Sequence, residues 1–192
     1  MTKSFLALLA ALAGLLVLSG CSGLDGTGDK GYITGEGKIV QRAVEEREQP
    51  IELSGEDLEG NPLDVADFRG KPVVVVVWGA WCPPCRAEAP GVVAAAEDLG
   101  DRAQFVGINL REPSPEDAKS FVRTFDVPYP SFYSPDGKAM LAFDGFLTPI
   151  SIPAFAVLDA EGRVAAVIPG ELPSTTTLVQ LVEDVLGETA DG

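Results

Sequence analysis

The sequence predicts an α/β fold in which a mixed central β-sheet is flanked by helices. Residues 72–78 (PVVVVVW) form a β-branched run typical of a strand that is buried on both faces. Two later segments have the apolar spacing of amphipathic helices. The predicted elements follow one another as strand, helix, strand, helix, hairpin and helix, an order that favours a sheet with both parallel and antiparallel strands.

A small N-terminal hairpin is predicted before this central strand. Residues 51–53 and 62–65 are short runs with alternating apolar residues, and the Gly60-Asn61 pair between them is common in turns. After the central strand, residues 83–99 are predicted to form a helix. Residues 104–109 (QFVGIN) then indicate a second buried strand.

The C-terminal half contains the remaining helices and a second hairpin. Ser114 and Pro115 have the chemistry of an N-cap and a first helical residue, and the helix that they begin is predicted to bury Phe121 and Phe125. Residues 154–158 and 164–168 are apolar runs joined by the turn sequence DAEG. The last helix has its apolar residues at helical spacing, namely Leu178, Leu181, Val182, Val185 and Leu186.

Charge and residue content exclude several classes of function. The 192 residues are 46% hydrophobic, which suits one ordinary folded domain, and 14 Lys and Arg stand against 29 Asp and Glu, giving a net charge of −15. So acidic a surface repels phosphate backbones, and we expect no nucleic-acid partner. The absence of histidine excludes imidazole catalysis and His-ligated metal sites. We expect neither a metal nor another cofactor.

The N-terminus has the pattern of a bacterial export signal. Lys3 precedes an uncharged apolar stretch over residues 5–18, which is shorter than the about 20 residues that span a bilayer. The stretch ends in Leu-Ser-Gly-Cys21, which resembles the lipobox of bacterial lipoproteins. The resemblance implies cleavage before Cys21, acylation of that cysteine and a lipid anchor on the extracytoplasmic face of the cell membrane. A plain secretory signal or an uncleaved anchor is the alternative.

Three regions are therefore expected: a signal peptide over residues 1–20, a lipidated tether over 21–49 and a folded domain over 50–192. Most of the tether carries glycines and charges with few large apolar groups, as flexible linkers do. The alternative is that its short apolar runs, around Ile33 and Ile39, add strands to the domain.

The strongest functional motif is Trp81-Cys82-Pro83-Pro84-Cys85, between the central strand and the helix that follows. Free N–H groups at a helix N-terminus stabilise a thiolate, and the two-residue spacing brings both sulfur atoms close enough to form a disulfide. We therefore expect Cys82 to form a mixed disulfide with a substrate and Cys85 to resolve it. A zinc site needs more ligands than this chain offers, and a structural disulfide across so short a loop adds little stability.

The sequence around this motif resembles the thioredoxin fold and, within it, the TlpA/ResA-like membrane-anchored thiol-disulfide oxidoreductases. The matching segments are residues 77–90 (VWGAWCPPCRAEAP) and 151–159 (SIPAFAVLD), and the resemblance extends over about residues 50–187. It implies a thioredoxin-like fold with an N-terminal hairpin and a central insertion between Asn109 and Pro153.

The resemblance also assigns roles to individual residues. Pro153 matches a cis-proline beside the cysteine pair, and the Ile152 backbone would pair with an extended substrate segment; an ordinary trans turn proline is the alternative. Glu88, one helical turn after Cys85, matches an acid that moves protons for the buried thiol, although its spacing equally suits a solvated surface residue. Trp81 would cover the disulfide, with core packing as the alternative.

One position departs from the thioredoxin pattern. Thioredoxins carry a buried acid six residues before the first cysteine, where this sequence has Val76. We therefore expect proton transfer to depend on Glu88 or on water.

The residues around the cysteines predict a reducing couple. Pro83 and Pro84 offer Cys82 neither an imidazole nor a backbone N–H, and the nearby charges of Arg86 and Glu88 are opposite. The thiolate is therefore only modestly stabilised, which disfavours a strong oxidant. The resemblance implies reduction of protein disulfides, for example in apocytochrome c before haem attachment, with electrons from a membrane thiol carrier. An oxidative foldase or isomerase and a non-catalytic binding lipoprotein are the alternatives.

Overall fold

The computed structural model describes residues 32–35, 37–148 and 150–190. The strands in this part of the chain are β1 Tyr32–Gly35, β2 Gly37–Gln41, β3 Ser54–Glu56, β4 Pro62–Asp64, β5 Val73–Trp78, β6 Gln104–Leu110, β7 Ser131–Ser134, β8 Ala154–Leu158 and β9 Val164–Ile168. The α-helices are α1 Pro83–Leu99, α2 Pro115–Phe125 and α3 Thr175–Ala190. Within the described residues, seven strands form one sheet in the order β1-β2-β9-β8-β5-β6-β7, and β3 and β4 form a separate hairpin.

The predicted fold class is confirmed. Strand β6 pairs in parallel with both β5 and β7, whereas the other pairs in the large sheet are antiparallel. The sheet is therefore mixed, and helices α1, α2 and α3 contribute side chains to the apolar cluster on one of its faces.

Strand β5 lies between β6 and β8 and ends at the segment that carries the cysteines. All six of its residues are buried, and successive valines contribute to two apolar clusters on opposite faces of the sheet. A run of β-branched residues suits this position because neither face of the strand meets water. The β5 strand predicted from the valine run is confirmed.

The helices pack on one face of the sheet. Val92 and Ala95 of α1 share an apolar cluster with Phe121 of α2 and with Leu178 and Val182 of α3. The opposite face is covered by a different set of apolar side chains, which includes Ile51, Leu53, Val65, Met140, Phe143 and Leu147. Both faces of the sheet are therefore covered, and the carboxyl end of β5, which leads into the segment with the cysteines, has a fixed position.

Residues 32–35 and 37–49 belong to the folded domain, so the tether predicted over residues 21–49 does not extend over these parts. Strand β2 pairs with β9, with Val40 opposite Val167, and Ile39 is buried. The strand alternative around Ile39 is therefore what the structure shows, because burying an apolar run in the sheet is more favourable than leaving it in water. The predicted signal peptide, Cys21 and residues 22–31 lie outside the described residues.

Arg47 fastens the segment after β2 to the rest of the domain. Its side chain is only 2% exposed, and its guanidinium bonds Asp159 at 3.1 Å and Glu188 at 2.7 Å. Asp159 lies in the turn between β8 and β9, and Glu188 lies near the end of α3. One buried cation therefore joins three separate elements.

The N-terminal hairpin is present, but its first strand begins at Ser54, three residues later than predicted. Ile51 and Leu53 bury their side chains in the core instead of pairing in the hairpin. Asp57 closes the turn, since its Oδ1 accepts a hydrogen bond from the Asn61 N–H at 2.8 Å.

The central insertion contains α2, which was predicted, and the edge strand β7, which was not. Strand β7 pairs in parallel with β6 and buries Phe132. Trp78 at the end of β5 donates its indole N–H to Ser131 Oγ at 3.2 Å, which ties the new strand to the centre of the sheet. Among the described residues, no helix has the length and apolar character needed to cross a bilayer.

Candidate active site

Cys82 and Cys85 lie where β5 passes into α1. Cys82 is the N-cap residue of α1 and Cys85 lies in its first turn. The two residues form a disulfide with their Cα atoms 5.3 Å apart. They are 2% and 4% exposed respectively. The predicted redox pair is therefore assembled, and in the oxidised form little of either residue meets solvent.

One backbone amide reaches the Cys82 sulfur, and it comes from Cys85 and not from either of the two intervening prolines. The Cys85 N–H donates to Cys82 Sγ at 3.2 Å. Pro83 and Pro84 have no N–H, so the first two residues of the helix cannot donate a hydrogen bond. The third residue, Cys85, donates this one. The bond stabilises a Cys82 thiolate to some degree, because the helix N-terminus offers a partial positive charge.

The Ile152–Pro153 peptide bond is cis, as the resemblance predicted. Pro153 immediately precedes β8, which pairs with β5, so it lies at the same end of the sheet as the cysteines. Pro153 and Cys85 line one narrow, mostly apolar pocket. Ile152 is half-buried against both apolar clusters.

Glu88 also lines this pocket, one helical turn beyond Cys85. Its Oε1 accepts a hydrogen bond from the Leu172 N–H at 2.6 Å, while its Oε2 is buried without a hydrogen-bond partner in the described structure. Burial raises the pKa of Glu88 from 4.5 to about 7, with the Leu172 amide opposing this shift and the Glu171 charge adding to it. Glu88 is therefore not a solvated surface residue, and its carboxyl can gain or lose a proton near neutral pH.

Val76 lies on the wall of the same pocket and is buried, so an apolar side chain occupies the position where thioredoxins have an acid. Among the described residues that line the pocket, Glu88 is the one with a carboxyl group. Tyr129, which sequence reasoning did not select, also lines it. Burial raises the pKa of the Tyr129 hydroxyl, which therefore stays protonated.

Trp81 lies at the rim of the site rather than in the core. The residue is 46% exposed, which is too much for a side chain that only packs in the core. The indole N–H donates to the Leu110 carbonyl at 3.0 Å, and the Arg111 guanidinium lies 5.9 Å from the ring centre. A Cβ atom at Gly79 would lie 2.6 Å from the indole nitrogen, so glycine is required for the indole to fold back over the loop.

Two polar residues behind the cysteine loop were missed by sequence reasoning. Asn109 and Glu112 are 0% and 3% exposed. Asn109 lies near the end of the buried strand β6, and Glu112 lies two residues beyond it. The sequence offered one signal for them: both are polar and lie at the carboxyl end of the strand next to β5. The carboxyl ends of parallel strands meet at one edge of an α/β sheet.

Several known proteins are similar to this chain over most of its length. The Redoxin family matches the chain over residues 37–186. The thiol-disulfide oxidoreductase ResA of Bacillus cereus is 28% identical over 161 residues, or 82% of this chain and 84% of the relative. A DsbF homologue from Corynebacterium diphtheriae is 33% identical with a TM-score of 0.71, covering 81% of this chain and 98% of that structure. A secreted thiol-disulfide isomerase from Corynebacterium glutamicum is 27% identical with a TM-score of 0.74, covering 81% and 96%.

The mixed sheet, the cysteine pair at the start of α1 and the cis-proline beside it define a thiol-disulfide oxidoreductase of the thioredoxin fold. This chain belongs to the Redoxin family and is a TlpA/ResA-like thioredoxin-fold protein.

Proposed function

We propose that this oxidoreductase is an extracytoplasmic, membrane-anchored reductase of protein disulfides that acts through the Cys82-Pro83-Pro84-Cys85 dithiol. The observation that carries the proposal is the single donor at the Cys82 sulfur. One amide, that of Cys85, reaches Sγ, and no side-chain cation of the described residues bonds to it. The thiolate is therefore only moderately stabilised, and the dithiol gives up its electrons readily.

The reaction consists of two thiol exchanges. The Cys82 thiolate attacks a substrate disulfide and forms a mixed disulfide, while the first substrate sulfur leaves as a thiolate. Cys85 then loses its proton and attacks Cys82 Sγ, so that the mixed disulfide breaks and the second substrate thiolate leaves. Two electrons pass from the dithiol to the substrate, and the Cys82–Cys85 disulfide remains on the enzyme.

Glu88 serves the second exchange. Cys85 is buried, so its proton needs an acceptor inside the protein. The Glu88 carboxylate is one turn away in the same pocket, and its pKa of about 7 lets it take that proton near neutral pH. The proton then passes to a leaving substrate thiolate or to water.

Ile152, Pro153 and Trp81 form the substrate-binding surface in this proposal. An extended substrate segment pairs with the Ile152 backbone beside the cysteine pair, in the manner of an added strand. The half-exposed indole of Trp81 offers an apolar contact at the rim. Substrates are disulfide-containing proteins that can present such a segment.

The proposed anchor is an acyl group on Cys21, at the end of the predicted signal peptide over residues 1–20. An anchored reductase needs a continuous supply of electrons outside the cytoplasm, and a membrane thiol carrier on the same bilayer would provide them. Apocytochrome c, whose cysteines must be reduced before haem attachment, is the proposed type of substrate.

An oxidative foldase or isomerase is the second candidate, and the secreted thiol-disulfide isomerase among the similar structures favours it. The same dithiol would then run at a higher potential. Trapping distinguishes the candidates, because a Cys85→Ala chain cannot resolve its mixed disulfides. In cells, we expect this variant to retain apocytochromes on Cys82, and recovery of only newly exported, unrelated proteins would favour the foldase.

Replacing Cys21 tests the anchor. We expect Cys21→Ala to move the protein out of the membrane fraction or to block its processing, because the acyl group has no other attachment point in the lipobox. Cell fractionation followed by mass measurement of the mature N-terminus checks this. A correctly processed variant that stays with the membrane would contradict the anchor.

A further inference from the structure

Glu112 is a buried carboxylate that the two thiol exchanges do not use. It lies two residues after the end of β6 and is 3% exposed. Arg111, between them, has a φ of 56°, which turns the chain sharply and places Glu112 beneath the loop that precedes Cys82. A charged residue is rarely buried unless it is paired or hydrogen-bonded, so the buried Glu112 carboxylate needs such partners.

The Glu112 carboxylate binds the cysteine loop directly. Its Oε2 accepts hydrogen bonds from the Ala80 N–H at 2.7 Å and from Asn109 Nδ2 at 3.0 Å. The Glu112 backbone carbonyl accepts a third bond from the Tyr133 hydroxyl at 3.2 Å, which fixes the residue to β7. The carboxylate therefore connects the loop to β6, and the backbone carbonyl of the same residue connects it to β7.

A second bond joins the same two segments. The indole N–H of Trp81 donates to the Leu110 carbonyl, so two consecutive loop residues are held by the end of β6. The next residue, Cys82, donates its own N–H to the Gly79 carbonyl at 3.1 Å and closes a turn around them. The position of the Cys82 sulfur at the start of α1 thus depends on where Ala80 and Trp81 are held.

We propose that Glu112 is a positioning residue for the dithiol: by accepting the Ala80 N–H, it holds the loop so that Cys82 Sγ stays within reach of the Cys85 amide. Without this acceptor, a part-buried N–H loses its partner and the loop can relax. Small displacements at a reacting atom lower rates strongly, since reactive geometry is lost. The proposal holds for either direction of electron flow.

The test compares Glu112→Ala with Glu112→Gln in the full chain. The amide oxygen of glutamine can replace Oε2 and accept both hydrogen bonds, whereas alanine can accept neither. Ser134→Ala is the matched control, because Ser134 is also buried and its hydroxyl also accepts a backbone N–H, that of Ala139, away from the cysteine loop.

The readout is the second-order rate constant for alkylation of Cys82 by iodoacetamide in the reduced protein, measured across pH in a Cys85→Ala background. We expect Glu112→Ala to lower this rate at neutral pH by at least about tenfold. The apparent pKa of the Cys82 thiol should also rise, because the backbone N–H of residue 85 no longer reaches the sulfur. Glu112→Gln and Ser134→Ala should stay within about threefold of the parent.

Two results would overturn the proposal. A parental rate and pH profile in Glu112→Ala would show that the loop does not need this acceptor. Glutamine as defective as alanine would assign the effect to the negative charge instead of to position. If the alanine variant does not fold, Glu112→Asp, which retains the charge but shortens the reach, gives the same test: a rate lowered at least tenfold is expected, and a parental rate contradicts the proposal.

Discussion

Replacing Cys82 with serine should abolish catalytic turnover, whereas replacing Cys85 with alanine should leave a single round of attack that stops at the mixed disulfide. Cys82 is the N-cap residue that receives the Cys85 amide, so its sulfur is the one with a stabilised thiolate. Serine places a hydroxyl there, which is not ionised at neutral pH and cannot form a disulfide. The measurement is reduction of insulin disulfides with dithiothreitol as the electron source.

The two variants control for each other, since each removes one sulfur from the same disulfide. When the pre-reduced Cys85→Ala enzyme reacts with insulin after the dithiothreitol has been removed, mass spectrometry should show one substrate chain bound per enzyme, attached at Cys82. Turnover by Cys82→Ser above the rate of dithiothreitol alone, or a mixed disulfide attached at Cys85 in that variant, would contradict the assignment of Cys82 as the nucleophile.

The second large effect is expected from Glu88→Gln, which should slow the resolution of the mixed disulfide about 100-fold at pH 7, the lower end of what a positioned acid or base contributes. The pKa of Glu88 is raised to about 7, so the carboxylate that we propose as the acceptor of the Cys85 proton forms as pH rises through 7. In the unsubstituted protein the resolution rate should therefore rise through this pH, and in Glu88→Gln that rise should be missing. Stopped-flow tryptophan fluorescence across pH 5 to about 9 measures both.

Glu97→Gln is the control for this prediction, because Glu97 lies on the same helix but is exposed. It should leave the rate and its pH dependence unchanged. Equal resolution rates in Glu88→Gln and the unsubstituted chain at pH 7 would return Glu88 to a structural role.

Stability gives an independent check on the Glu88 environment. Its folded-state pKa of about 7 lies above its ordinary value of 4.5, so the folded state holds the proton more tightly than the unfolded state does. Its stabilising contribution is complete below pH 4.5 and is lost as pH rises through 7. Thermal unfolding of the oxidised proteins should show this loss in the unsubstituted chain but not in Glu88→Gln.

Local patterns predicted the centre of the molecule. The valine run specifies β5 because it is short and β-branched, which favours a strand, and because six consecutive apolar residues suit a strand covered on both faces. The spacing of Cys82 and Cys85 at the start of a helix determines that their sulfur atoms meet. The cis form of the bond before Pro153 was predicted by resemblance to known proteins and not by local chemistry.

Features that depend on distant parts of the chain could not be predicted in the same way. Strand β2 forms because Val40 and Gln41 pair with β9, whose residues lie more than 100 positions later in the chain. Arg47 is buried because Asp159 and Glu188 meet at one point in the folded state. Glu112 contacts the cysteine loop only in the folded state, where its carboxylate accepts the N–H of Ala80, 32 positions earlier in the chain.

The equilibrium potential of the Cys82–Cys85 couple decides whether this dithiol is reducing. The oxidised and reduced forms can be equilibrated with dithiothreitol or glutathione buffers and followed by the fluorescence of Trp81 and Trp78. With one amide donor and two prolines at the start of α1, we expect a potential nearer that of thioredoxin, about −270 mV, than that of a strong oxidant, about −120 mV. A value near −120 mV would contradict the reductase assignment and favour oxidative folding.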